Sequence, residues 1–207
     1  MAEPEPPRQG PPRSAADWDA RYRGESAAPW DTGRVDRNLA ALVASRPVAA
    51  CRALDVGCGT GVEACWMAAR GFEVTGVDFA PTAIAQARAR AEAEAVHARF
   101  MVGTVAAAGT GFGLAYDCGC FHTMPSADAR ATFAADVAAC LDPGGLSVSV
   151  LGSKDGPPRD HGPPRLSLAE VCGAVEPRFE ILDLVGGTYD ARIETPARAW
   201  VVVSRVR

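Results

Sequence analysis

The 207-residue chain contains no run of 18 apolar residues and no stretch of five consecutive basic residues. The first absence excludes a hydrophobic membrane-spanning helix. The second, with a formal net charge of -4, removes any general attraction for a polyanion, so neither nucleic acid nor an anionic membrane surface is an expected partner. An apolar leader is missing too: Met1 to Arg13 holds five prolines and four charged residues, which leads to the expectation of a cytoplasmic protein with a disordered proline-rich tail over 1–13. A disulfide framework is not expected, because the seven cysteines are odd in number and Cys51, Cys65, Cys140 and Cys172 lie inside apolar segments as small hydrophobes. Cys118-Gly119-Cys120-Phe121-His122 puts two thiols and an imidazole at alternate positions, but no second ligand cluster accompanies it, so no metal is expected. Neither a serine-histidine-acid set nor a paired-carboxylate constellation is apparent.

What is present is an alternation. From Arg52 onward, short β-prone runs alternate with alanine-rich helical runs, the pattern of a doubly wound α/β sheet with helices on both faces. Strands are expected near 52–57, 72–78, 98–103, 112–118 and 146–151. Helices are expected near 60–70, stopped by Gly71, near 81–94, opened by Pro81, and from the cap residue Ser126 to Leu141, with Pro143-Gly144-Gly145 ending it. A short helix near 167–175 and strands near 179–185 and 199–204 follow. With no crossover helix between them, the last two strands should pair antiparallel. Ahead of this domain, 47–207, the segment 14–46 carries Trp18, Tyr22 and Trp30 and then Val35, Leu39, Leu42 and Val43 at helical spacing, an arm that ends in a helix.

Ala53-Leu54-Asp55-Val56-Gly57-Cys58-Gly59-Thr60-Gly61 follows a strand and opens a helix, so its glycines let the backbone turn sharply and approach a ligand. Seventeen residues past Gly61, Asp78 ends the next strand, where a carboxylate can accept both hydroxyls of a ribose. A nucleoside-containing ligand follows. The dinucleotide fingerprint Gly-x-Gly-x-x-Gly cradles a pyrophosphate, and here the third glycine comes one residue early.

Gly57-x-Gly59-x-Gly61 preceded by Asp55 resembles the S-adenosylmethionine (SAM) turn of class I methyltransferases, over about 150 residues that include the terminal hairpin. The resemblance implies a Rossmann-like, seven-stranded, mostly parallel sheet with a reversed last strand, SAM as cofactor and S-adenosylhomocysteine as product. It also implies that Asp55 lies near the amino acid end of SAM, that Asp78 holds the ribose, and that Gly57, Cys58, Gly59 and Gly61 line the turn. Phe79 is placed to stack on adenine, or else packs in the core. Where many relatives have an acid after the third strand, this chain has Thr104 and Val105, which would have to substitute.

Asp17-Trp18-Asp19-Ala20-Arg21-Tyr22, with Pro29-Trp30-Asp31-Thr32-Gly33, resembles the arm of the branch containing thiopurine, thiol and halide methyltransferases and enzymes that methylate toxic heterocycles or tellurite. In that branch the arm folds over SAM; Trp18 and Trp30 either contact the cofactor or plug the arm to the domain. Asp117-Cys118-Gly119-Cys120-Phe121-His122 resembles the same branch's fourth-strand motif, which faces the methyl group. Asp117 and His122 are therefore the catalytic candidates, Asp117 also contributing to the cofactor side, and Tyr22, Cys120, Phe121 and His122 are candidate substrate contacts. The alternative for His122 is a hydrogen-bonded structural role. The loop from Ser153 to Arg165 is either a substrate lid, with Arg159, His161 and Arg165 as polar contacts, or a surface linker.

A small-molecule nucleophile is the expected acceptor. A thiol of pKa about 8.5 is roughly a tenth ionised near pH 7.5, costing about 1.4 kcal/mol, whereas a phenol costs about 3.4 kcal/mol. Sulfur is the first choice; a heterocyclic nitrogen or phenolic oxygen follows. The rival readings are an NAD(P)-dependent Rossmann oxidoreductase and a SAM-binding module without turnover.

Overall fold

The first strand of the sheet, β1 (Arg52–Val56), is buried at every position after Arg52, which fits a strand covered on both faces. In the computed structural model, which describes residues 14–24, 28–46, 48–156, 164–192 and 196–207, it sits near the middle of a seven-stranded sheet. Its partners are β2 (Glu73–Asp78) and β4 (Phe112–Cys118), and the other strands are β3 (Ala98–Val102), β5 (Leu141–Gly152), β6 (Phe179–Thr188) and β7 (Arg198–Val206). The order is β3-β2-β1-β4-β5-β7-β6, all parallel except β7, which runs antiparallel to both β5 and β6. This is the class I methyltransferase sheet with its reversed strand. The connections run outward from β1 in one direction and from β4 in the other, so the switch point lies between them.

Helices cover both faces. On one, α2 (Arg37–Ser45), α3 (Val62–Ala68) and α4 (Pro81–Ala93) bury Leu39, Leu42, Cys65, Met67, Ile84 and Ala87 against Leu114, Val148 and Val150. On the other, α5 (Ala127–Cys140) and α6 (Leu168–Val175) close over Leu54, Val56, Phe112, Leu151 and Phe179. Each fully buried leucine or phenylalanine contributes roughly 1.5–3 kcal/mol. The expected boundaries hold locally: Pro81 is the first residue of α4, Ser126 caps α5 by accepting from Ala129 N, and Ser167 forms a capping box with Glu170. One boundary differs. Pro143-Gly144-Gly145 does not separate α5 from its strand; β5 begins at Leu141 and pairs with Phe112 before a register shift, so these residues form an irregular strand start.

The arm begins with α1 (Ala15–Tyr22), which has a Ser14–Asp17 capping box and no buried residue. Its partly buried aromatic residues, Trp18 and Tyr22, pack on Trp30, and polar contacts add to its seating on the domain. The expected disordered tail 1–13 lies outside the described residues. Among the described residues, no helix is long and apolar enough to cross a membrane.

Candidate functional site

The C-terminal ends of β1, β2 and β4 place three carboxylates side by side. Asp55 pairs in register with Gly76, Val56 lies between Val77 and Asp117, and Asp78 is the last residue of β2. The chain then turns at Gly57, Gly59 and Gly61, all at positive φ. Sterics add to the requirement: a Cβ at Gly57 would stand 2.0 Å from Cys120 Sγ, one at Gly59 would stand 3.1 Å from the Tyr22 hydroxyl, and one at Gly61 would stand 2.9 Å from Ala87 Cβ.

Among the described residues, the acids are buried without basic partners. Asp55 is 3% exposed, and its Oδ2 has no hydrogen-bond partner among those residues. Burial, then the negative charge of Glu63, pushes its carboxyl well above the ordinary range. Glu63, in the first turn of α3, is raised to about 7 by burial and by Asp36 and Asp31 against the hydrogen bond from Asp36 N. Asp117 is raised to about 7 by burial, although its oxygens accept from Cys120 N at 2.8 Å and Phe121 N at 3.3 Å. Asp78 is raised by burial while accepting from Gly59 N at 3.1 Å and Ala80 N at 2.8 Å. Among the described residues, no Lys or Arg side chain forms a salt bridge with Asp31, Asp36, Asp55, Glu63, Asp78 or Asp117.

Such a site suits a cationic ligand. The glycine cradle, the unpartnered Asp55 oxygen and the surplus of buried carboxylates fit a molecule carrying both an ammonium and a sulfonium. Each Asp78 oxygen retains a lone pair for a hydroxyl donor beyond its backbone bond.

The arm lies over this turn. Trp18 and Trp30 meet edge-on at 5.5 Å, Tyr22 and Trp30 at 6.4 Å, and Trp30 Nε1 donates to the Tyr22 hydroxyl. Thr60 Oγ1 donates to Asp31 Oδ2 at 2.9 Å, and Asp19 Oδ1 accepts from Thr82 N at 2.8 Å. Tyr22, expected as a substrate contact, thus stands over the glycine turn beside Gly59. Its hydroxyl is pushed up by burial and then by the charge of Asp78.

After the end of β4, His122 is 5% exposed in a 3₁₀ turn over Phe121–Thr123. Gly152 N donates to its Nδ1 at 2.9 Å, and the Tyr189 hydroxyl lies 2.7 Å from the same nitrogen. An acceptor at Nδ1 puts the proton of the neutral ring on Nε2. That edge faces Gly119, whose Cβ would be 4.0 Å away. Cys120 joins the glycine turn through the Gly57 contact. Phe121 does not join the site: it is 2% exposed and packs edge-on against Phe133 at 5.8 Å. Thr104 is exposed ahead of a 3₁₀ turn over Val105–Ala108, and Val105 is buried in the core, so its side chain faces hydrophobic neighbours. Phe79 is partly buried directly after Asp78. Arg165 donates to Gly156 O at 3.3 Å, whereas Arg159 and His161 lie outside the described residues. No group of three or more His, Cys, Asp or Glu side chains among the described residues is placed to hold a metal ion.

Sequence reasoning missed Asp19, Asp31, Asp36, Glu63 and Tyr189. Asp19 and Asp31 stood inside the arm motifs without a role of their own, and Glu63 carried a signal as an acid in the first turn of a helix that opens on a ligand turn.

Residues 53–145 match the methyltransferase domain family. The chain is 28% identical over 179 residues to the 2-heptyl-1-hydroxyquinolin-4(1H)-one methyltransferase of Mycobacteroides abscessus, covering 81% of this chain and 78% of that one. A structure from work on the conversion of a disulfide bond into a thioacetal group during echinomycin biosynthesis superposes with a TM-score of 0.82 at 26% identity, covering 93% of each chain. The Burkholderia thailandensis 1,6-didemethyltoxoflavin-N1-methyltransferase, with its substrate and S-adenosylhomocysteine bound, shares the fold at a TM-score of 0.69 and 20% identity, over 97% of this chain and 93% of that one.

Proposed function

We propose that this chain, a SAM-dependent methyltransferase of the class I fold, methylates the thiol sulfur of a small xenobiotic or secondary metabolite. One observation carries the preference for an acceptor that needs little base, a thiol ahead of a phenol: the acceptor side offers no group arranged as a strong base. Asp117 is buried and engaged by the backbone of the following turn and by Ser149, and His122 has Nδ1 engaged and its neutral-ring proton on Nε2. A ring in that tautomer donates a hydrogen bond and does not remove a proton. The acceptor must then be nucleophilic with little help, as a thiol or a neutral ring nitrogen is and a phenol is not. The likeness to the protein from the disulfide-to-thioacetal work supports sulfur chemistry.

Bound SAM supplies an activated methyl group and leaves as S-adenosylhomocysteine. The chain's own residues bind, orient and exclude water. Asp55 takes the amino acid end, Asp78 the ribose hydroxyls and Phe79 the adenine face, with Thr104 at its edge. Trp18, Tyr22 and Trp30 cover the turn. Asp117 holds the loop that brings Cys120 to Gly57, and His122, pinned at Nδ1, stands on the acceptor side, with Arg165 at the loop above.

A second reading is favoured by the hydroxyquinolinone methyltransferase: an oxygen or nitrogen of a heterocycle. Incubation with labelled SAM and a panel of thiols, N-hydroxyquinolones and nitrogen heterocycles separates the two. Thiols are expected to be methylated most efficiently; turnover confined to the heterocycles would remove sulfur. For the cofactor residues, Asp78→Ala should weaken SAM binding by at least tenfold in calorimetry, since two hydrogen bonds to a charged acceptor are lost. Equal affinity would falsify the ribose assignment.

A further inference from the structure

The connection between β6 and β7 touches both halves of the site. Tyr189, at its start, is 9% exposed, and its backbone N–H donates to Ala197 O at 2.9 Å. Its hydroxyl lies 2.5 Å from Val150 O in β5 and 2.7 Å from His122 Nδ1. One residue on, Asp190 accepts from Arg37 N at 3.1 Å and from Arg37 Nε at 2.6 Å. The Arg37 guanidinium in turn holds the Asp190 carboxyl below its ordinary range. Arg192 N donates to Pro29 O and Arg192 Nε to Asp31 O, each at 2.8 Å. Asp31 is the residue whose carboxylate receives the Thr60 hydroxyl of the glycine turn. A continuous hydrogen-bonded path therefore runs from His122 through Tyr189 and the next three residues to the arm, and from the arm to the glycine turn.

We propose that Tyr189 is a positioning residue with two duties, fixing the His122 ring on the acceptor side and anchoring a clasp, Asp190 and Arg192, that holds the arm over the bound cofactor. The physical case rests on what each contact constrains. Tyr189 is fastened at both ends, by its backbone to Ala197 and by its hydroxyl to Val150, so the segment after it starts from a fixed point in the core. Asp190 and Arg192 then reach the arm from that point by two independent bonds each. These ties add to the aromatic packing of Trp18, Tyr22 and Trp30 and to the bonds of Asp19 and Gln86 in keeping the arm closed. At the other end, Gly152 N makes the ring nitrogen an acceptor, and the Tyr189 hydroxyl, whose single proton lies between Val150 O and that nitrogen, fixes the rotation of an imidazole that would otherwise turn about its own bond. Closure on the donor side and alignment on the acceptor side thereby share one anchor. The acceptor-side half rests on the function proposed above; the clasp half does not.

The test uses the full chain with S-adenosylhomocysteine, so that no acceptor need be known. Three variants suffice: Tyr189→Phe, Arg192→Ala and, to assign the signal, His122→Ala. Side-chain 15N spectra of histidine-labelled protein report the tautomer, and trypsin cleavage at Arg23 and Arg34, followed by mass spectrometry, reports arm closure. Tyr189→Phe is expected to move the Nδ1 resonance of His122, as the hydroxyl beside that nitrogen is lost, and to speed arm cleavage about fivefold, the size of one lost neutral hydrogen bond. Arg192→Ala should speed cleavage while leaving the His122 signal in place. If Tyr189→Phe, still folded by its thermal melt, keeps either the wild-type signature or the wild-type cleavage rate, the double duty is overturned. A thiol reading that fails leaves both measurements standing, so the two failures are distinguishable.

Discussion

Gly57 shows at a single residue how the cradle and the acceptor loop are made for each other. Its φ of +67° already disfavours any side chain, and the space a Cβ would need is taken by Cys120 Sγ. Gly57→Ala should therefore weaken S-adenosylhomocysteine binding more than tenfold in calorimetry, the two constraints together costing about 2–3 kcal/mol. Adding Cys120→Ala removes the sulfur and leaves the backbone strain, so the double variant should regain part of the lost affinity. No recovery would mean that the Cys120 contact is irrelevant and the left-handed turn alone matters. The same residue explains why this region was legible in the sequence. A positive φ can be read from a glycine, and an acid at a strand end can be read from the alternation that precedes it. Cys120 over Gly57 could not be read, since 63 positions separate the two and no local period connects them.

The arm raises the same issue for an element. α4 begins with Ala80 at its cap position and has no side-chain cap of its own; Asp19, on α1, accepts from Thr82 N in its first turn. That hydrogen bond also holds the Asp19 carboxyl below its ordinary range. One helix thus supplies the cap of another, and the contact doubles as an arm tether, together with Gln86 Nε2 donating to Tyr22 O. Asp19→Ala should lower the melting temperature slightly and speed tryptic cleavage of the arm. Asp19→Asn, which keeps an acceptor oxygen, should restore most of the protection; equal loss in both would assign the effect to charge. The sequence pointed to an arm over 14–46 that carries Trp18, Tyr22 and Trp30; the structure packs Trp18 and Tyr22 on Trp30 but buries Leu39 and Leu42 of α2 in the core. The seat of the arm was hidden, because it is set by pairs 63 and 29 positions apart, Asp19 with Thr82 and Asp31 with Thr60. The start of β5 was misread for a similar reason: pairing of Leu141 with Phe112 across the sheet overrides the local turn preference of Pro143-Gly144-Gly145.

For the whole molecule, the net charge of -4 conceals an uneven distribution. The carboxylates held by partners, such as Glu170 against Lys154 and Asp190 against Arg37, are at the periphery, with Glu170 lowered to about 2 despite the opposing effect of its burial. Those gathered at the strand ends lack such partners and are raised, Glu63 and Asp117 to about 7. The sign of the consequence follows from linkage. A carboxyl whose folded pKa exceeds its unfolded value of about 4 stabilises the fold fully below that value, and the contribution is lost as pH rises through the folded pKa. The lowered groups act oppositely, but their contribution is lost only as pH falls through about 4 toward 2. Between pH 5.5 and 7.5 the raised groups dominate, so the ligand-free protein should lose several degrees of melting temperature, at about 2–4 °C per kcal/mol for a chain of this size. A bound cation favours the ionised carboxylates. SAM affinity should accordingly rise with pH across the same window, by at most about tenfold per pH unit for each proton released. S-adenosylhomocysteine, which lacks the sulfonium charge, should show a shallower rise, and the difference between the two slopes measures the part of the linkage owed to the sulfur. Thermal melts and calorimetry at pH 5.5, 6.5 and 7.5 test both statements. A melting temperature that climbs over this range, or identical slopes for the two ligands, would show that the buried acids are compensated from within the protein and that the site recognises shape alone.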